Sequence, residues 1–100
     1  MNRISYDERV QIYRQAIDTW GAENQEKMAV EEMSELTKEI CKHWRGRDNL
    51  DAVADEIADV TIMLEQLRLI YNLNDSVSRH MDTKILRLQD RIQQDLPSTK

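Results

Sequence analysis

Glycine occurs in this chain only at Gly21 and Gly46, and proline only at Pro97. These are the residues that most disfavour a helix interior. A chain of 100 residues with so few of them, and rich in Ala, Leu, Ile, Met, Glu, Gln and Arg, is expected to be all-α. Apolar spacing divides it into four helices. Ser5-Tyr6-Asp7-Glu8 has the form of a capping box. Tyr6, Val10, Tyr13, Ile17 and Trp20 follow at alternating spacings of four and three, and Gly21 is expected to end this helix as a left-handed cap. A second helix is expected from about Ala22–Asn24 to about His43, with the stripe Ala29, Met33, Leu36, Ile40 and Trp44. Lys42 to Asn49 reads as a loop, with Asp48 or Asn49 placed to cap the next helix. Leu50, Val53, Ile57, Val60, Leu64, Leu67 and Tyr71 form a clean heptad in the third helix. A second apolar edge there (Ala52, Ala54, Ala58, Ile62 and Met63) predicts contact with two neighbours or with a partner subunit. Asn72 to Ser76 breaks the pattern and offers several caps. The fourth helix carries Val77, Met81, Ile85, Leu88 and Ile92 and ends before Pro97. The expected architecture is an antiparallel four-helix bundle: one domain over residues 1–96, with a frayed tail at 97–100.

A chain this short buries little by itself, and the two-edged third helix adds to the expectation of a homodimer or homotetramer. The formal charge of −5 argues against non-specific nucleic-acid binding, which needs a basic face, and suits cation binding better. Cys41 is the only cysteine, so no internal disulfide can form and a reducing compartment is expected. The first residues lack a signal-peptide pattern and no stretch has the apolar length to span a bilayer, which predicts a cytoplasmic protein without a membrane partner.

Two acidic pairs stand out against this scaffold. Glu32 and Glu35 are three residues apart on the second helix, and Glu56 and Asp59 are three apart on the third. On a helix that spacing sets two carboxylates about 60° apart and one turn along the axis. Glu32 lies one turn from Ala29 and Leu36, Glu56 one turn from Val53 and Val60, and Asp59 in line with Ala52 and Met63. All three therefore sit on or beside packing edges, where uncompensated carboxylates are costly. Either pair alone is most simply a solvated surface feature. Two pairs on facing helices instead resemble the inward acids from which helical bundles build metal sites. Oxygen ligands without histidine or cysteine suit a hard cation such as Mg²⁺, with Mn²⁺ as its substitute. No glycine-rich phosphate loop and no Ser–His or Cys–His set is present, which favours direct attack by water in any phosphate chemistry.

Glu31-Glu32-x-x-Glu35 followed by Glu56-x-x-Asp59 resembles the paired acidic signature of the MazG-like nucleotide pyrophosphohydrolases, within the all-α NTP pyrophosphatases. Trp20-Gly21 with Gln25, Leu36 after Glu35, Val60 after Asp59, and Lys84-Ile85-Leu86-Arg87 extend the resemblance over about Trp20 to Arg91. It implies Mg²⁺-dependent hydrolysis of a nucleoside triphosphate to its monophosphate and pyrophosphate. Glu32, Glu35, Glu56 and Asp59 would be the metal ligands. Glu31 would orient or deprotonate the attacking water or support a second ion, Lys84, Arg87 and Arg91 would hold triphosphate oxygens, and Gln25 would contact substrate. The three basic residues fall on one side of their helix, clear of the Ile85–Leu88–Ile92 stripe. Asp82 departs from the family, which often has Asn there, and an acid cannot donate an amide hydrogen bond to the nucleotide.

The remaining candidates read as structural. Trp20 and Trp44 fall on apolar stripes and are expected in the core more than against a base. Met28, Met33, Met63 and Met81 read as core filler, and Cys41 as a small buried residue. Arg45, Arg47, His43 and His80 are expected at the surface or an interface. Two rival functions remain: a narrower dUTP or dCTP pyrophosphatase of the same fold, and a non-catalytic helical protein that oligomerises through its heptads.

Overall fold

The computed structural model describes residues 3–97 as an all-helical chain in the order α1 (Tyr6–Trp20), α2 (Ala22–Trp44), α3 (Leu50–Ile70) and α4 (Asn74–Asp95). Pro97 lies beyond α4, and positions 98–100 of the expected tail fall outside the described residues. The capping box forms as expected: Glu8 N–H donates to Ser5 Oγ at 3.1 Å, and Ser5 N–H donates to Glu8 Oε1 at 3.3 Å.

Gly21 is the whole link between α1 and α2. Its φ of 91° and ψ of 145° correct the expectation of a left-handed helical cap. The extended ψ redirects the chain sharply, in a region essentially reserved for glycine. Its N–H still closes α1 on Ile17 O at 2.8 Å, while its carbonyl already accepts from Gln25 N–H at 3.1 Å to open α2. One residue thus ends one helix and starts the next.

Helix α2 continues to Trp44, so the loop expected from Lys42 shortens to the five residues Arg45–Asn49. Asn49 holds the N-cap position of α3 without a side-chain cap. Its amide donates backwards to Glu39 O at 2.9 Å and ties the loop to α2. The caps expected from Asn72–Ser76 likewise do not form: Leu73 occupies the N-cap position of α4, with no side-chain hydrogen bond. Asn72, at φ 53°, supplies the left-handed residue that ends α3, and Leu73 N–H reaches back to Arg68 O at 2.8 Å.

The core is an antiparallel α2–α3 hairpin. Gln25 near the start of α2 meets Gln66 near the end of α3, and Glu32 meets Glu56 and Asp59 nearer its start. Ala29 and Met63 are buried between them; a methyl at Ala29 permits the helices to lie close. Helix α1 docks through buried Tyr13, whose hydroxyl donates to Glu65 Oε1 at 3.1 Å, and through Arg9, 3.4 Å from the other Glu65 oxygen. Burial and the acceptor carboxylate of Glu65 both raise the Tyr13 pKa above the usual phenol value.

Among the described residues, helix α4 packs along α3 and touches α1 only at its start, where Asn74 Nδ2 donates to Tyr6 Oη at 3.2 Å. Arg68 Nη2 holds its first turn by donating to Asn74 O at 3.0 Å and Ser78 Oγ at 2.7 Å. From Ser78 to Pro97 every residue is exposed. The bundle is therefore open on one side, and several packing expectations are corrected. Trp20 and Trp44 are 61% and 79% exposed, because each ends a helix where no neighbour reaches. Met28, Met33 and Met81 are exposed and only Met63 is core; Cys41 is half-buried. No helix among the described residues is long and apolar enough to cross a membrane.

Candidate metal centre

Two layers of the α2–α3 seam lead up to the acids. Gln25 and Gln66 form the first, both about 5% exposed or less, with Gln25 Nε2 donating to Gln66 Oε1 at 2.7 Å. Ala29 and Met63 form the second. One turn beyond Ala29 comes Glu32, and one turn before Met63 comes Asp59, with Glu56 a further turn back. The three- and four-residue steps of Gln25–Ala29–Glu32 on α2 and of Glu56–Asp59–Met63–Gln66 on α3 thereby carry these three side chains onto the same seam.

One carboxylate oxygen from each of Glu32, Glu56 and Asp59 lies within 4.8 Å of the other two. All three residues are half-buried. Glu56 Oε2 is buried without any hydrogen-bond partner, an expensive condition for a carboxylate oxygen. The Glu32 carboxyl is pushed above the usual carboxylate range, first by burial, then by the charge of Asp59 and by Glu56. No lysine or arginine pairs with any of the three among the described residues. The cluster is thus a concentration of negative charge with an unfilled acceptor and no protein counter-charge. Three oxygens from two helices are a fitting partial shell for a hard divalent cation, which completes its coordination with water or substrate oxygens.

The other expected site residues are placed differently. Glu35 is exposed, and its Oε2 lies 3.8 Å from Lys38 Nζ rather than in the cluster. Glu31 is exposed on α2 beside Glu32. Gln25, expected at substrate, is enclosed in the seam with its amide committed to Gln66. Lys84, Arg87 and Arg91 do form one exposed row on α4, but that helix makes no contact with α2, so within one chain the row is not joined to the acidic cluster. Asp82 is also exposed on α4.

Gln66 was missed, although a heptad step from Asp59 places it on the same face of α3. Equally unforeseen is a cleft of about 540 Å³ between α1, α3 and the start of α4, walled by Tyr6, Arg9, Tyr13, Glu65, Arg68 and Ser78. At about 100° per residue these α3 positions lie opposite Glu56 and Asp59, so the cleft is separate from the acids. No family model, no curated protein and no solved structure matches this chain.

Proposed function

We propose that this protein is a magnesium-dependent nucleoside triphosphate pyrophosphohydrolase, acting through the acids of the α2–α3 seam. The observation that carries the proposal is the convergence of Glu32, Glu56 and Asp59 within 4.8 Å, with a buried, unpartnered oxygen on Glu56. The acidic signature and the basic row of α4, which resemble those of the MazG-like enzymes, support the reaction type.

When bound, a divalent cation supplies charge neutralisation for the phosphates. Glu32, Glu56 and Asp59 would hold it. Glu35, one turn from Glu32, would add a fourth carboxylate by swinging from Lys38. Glu31 would accept a proton from the attacking water as its oxygen bonds to the α-phosphorus. The bond from that phosphorus to the bridging oxygen breaks, and pyrophosphate leaves. Lys84, Arg87 and Arg91 would bind the oxygens of the departing pyrophosphate, where negative charge accumulates. The half-buried seam keeps the carboxylates together without exposing them fully to water.

A pyrophosphate-release assay across the eight common ribo- and deoxyribonucleoside triphosphates, with magnesium or with chelator, tests this directly. Magnesium-dependent release that Glu56→Gln abolishes is expected. Release confined to dUTP or dCTP would select the narrower enzyme. No release from any of the eight would leave the helical interaction protein, a role that the exposed apolar stripes of α3 and α4 also suit.

A further inference from the structure

The cleft between α1, α3 and the start of α4 offers more hydrogen-bond donors than the protein itself can use. Its lining contains one carboxylate, Glu65, and both of that residue's oxygens are engaged. Oε1 accepts from the Tyr13 hydroxyl at 3.1 Å, and Oε2 lies 3.4 Å from Arg9 Nη2. Arg68 is the second cation of the cleft, and it makes no ion pair among the described residues. Its Nη2 is committed to α4, donating to Asn74 O and to Ser78 Oγ. Its Nε is buried without any partner. A guanidinium has donors only and stays charged, so a buried N–H left over on it is costly until an acceptor arrives.

Two hydroxyls beside it are in the same condition. Ser78 Oγ accepts from Arg68, and Tyr6 Oη accepts from Asn74 Nδ2 at 3.2 Å. Neither hydroxyl donates to the protein among the described residues, so each has a hydrogen to give. Arg68, Ser78 and Tyr6 are joined through this one hydrogen-bonded circuit, with Asn74 as the link to Tyr6. Their free donors are therefore neighbours.

Charge selects among acceptors. Arg9 and Arg68 against Glu65 leave the lining with one positive charge in excess, in a chain whose formal charge is −5. That local reversal favours an anion, and a single excess charge suits a monoanion better than a phosphate dianion or a triphosphate. A guanidinium also matches the planar geometry of a carboxylate. Elsewhere the wall is apolar or aromatic, formed by Val10, Leu69 and the rings of Tyr6 and Tyr13. The cleft's volume of about 540 Å³ is far more than a lone ion or water needs and falls in the range of small-molecule sites.

We propose that this cleft is a second binding site, for a small organic monocarboxylate. The carboxylate accepts from Arg68, Ser78 and Tyr6, and its apolar body lies against Val10, Leu69 and the tyrosine rings. The site faces away from the seam acids and stands whether or not those acids hydrolyse nucleotides. Its occupant touches α1, α3 and α4 together. It thereby reinforces the junction of α1 with α4, which the Asn74–Tyr6 hydrogen bond makes by itself in the free protein.

The test titrates ¹⁵N-labelled protein, in chelator, with phenylacetate, its neutral amide phenylacetamide, acetate and inorganic phosphate. Millimolar phenylacetate is expected to give saturable shifts at the amides of Tyr6, Arg9, Arg68 and Ser78 and at the Arg68 Nε–H signal, while Glu32, Glu56 and Asp59 stay in place. Acetate lacks the apolar body, phenylacetamide lacks the charge, and phosphate carries the wrong one; each is expected to bind at least about tenfold more weakly. Equal affinity for any of the three, or no saturable shift with any probe, overturns the proposal. Arg68→Gln is expected to abolish binding, but Arg68 also holds α4, so a gentler variant decides. Tyr6→Phe with Ser78→Ala removes both hydroxyls and keeps the guanidinium. It is expected to weaken phenylacetate at least about tenfold with unchanged helical circular dichroism, and unchanged affinity overturns the assignment. No readout uses metal or turnover, so this site and the proposed enzyme are tested separately.

Discussion

Glu32→Gln removes one charge from the acidic cluster while keeping the shape of the side chain. The three ligand oxygens lie within 4.8 Å of one another. Two unit charges at that separation repel by about 3.5 kcal/mol at an effective dielectric constant near 20. Water and salt at this half-exposed site discount that figure, leaving relief on the order of 1 kcal/mol. The new amide can also donate to Glu56 Oε2, which has no partner. In a domain of this length about 1 kcal/mol moves Tm by about 4–8 °C. In chelator near neutral pH, the variant is therefore expected to melt above the wild type by about that amount. Millimolar magnesium should reverse the order, because a cation bound only by the folded state raises Tm and the variant has lost a ligand. Differential scanning fluorimetry of both proteins, with and without magnesium, reads all four values. A variant that melts below the wild type in chelator, or that keeps the full magnesium shift, would refute the reasoning.

Three further outcomes are expected. Gln66→Leu leaves the buried Gln25 amide unpaired and should cost about 1–3 kcal/mol in urea denaturation, while Gln25→Leu with Gln66→Leu recovers most of it; equal effects of the single and double changes would deny the pair. Because the folded state raises the Glu32 pKa, it holds that proton more tightly than the unfolded chain does. Stability in chelator should thus rise as pH falls through the folded value and level off below the ordinary carboxylate range, a trend absent from Glu32→Gln and suppressed by magnesium; melting against pH in the two proteins checks it. At Gly21 nothing lies within 4 Å of an added Cβ, so Gly21→Ala tests backbone strain alone and should cost about 1–3 kcal/mol, with an unchanged unfolding midpoint counting against the conformation described.

Local chemistry was legible wherever neighbours in sequence decide it. The Ser5–Glu8 box, the four helices and the alignment of Glu32 with Ala29 all follow from spacings within one turn or two. Where a second helix decides, the residues alone were silent. Glu32 and Glu35 have the same claim by spacing, yet only Glu32 meets Glu56 and Asp59, because the register of α2 on α3 turns Glu35 outward toward Lys38. Asn49 has the chemistry of a cap, but a carbonyl of the preceding helix lies within its reach and takes its amide instead. The resemblance places Gln25 at substrate, and its pairing with Gln66 across the seam is not readable from α2 alone. Trp20, Trp44 and the α4 stripe carry apolar spacing but remain exposed, since periodicity states that a face wants covering and not which chain covers it.

The account turns on whether the seam acids bind a divalent cation, and manganese added to ¹⁵N-labelled protein measures that at single residues. Substoichiometric Mn²⁺ is expected to broaden the amide signals around Glu32, Glu56 and Asp59 first and to spare the start of α1 near Tyr6, which sits against Asn74 beyond the far end of α3. Glu56→Gln should remove the selectivity. Weak broadening spread evenly over the surface carboxylates, unchanged by that substitution, would contradict the metal site and with it the proposed chemistry.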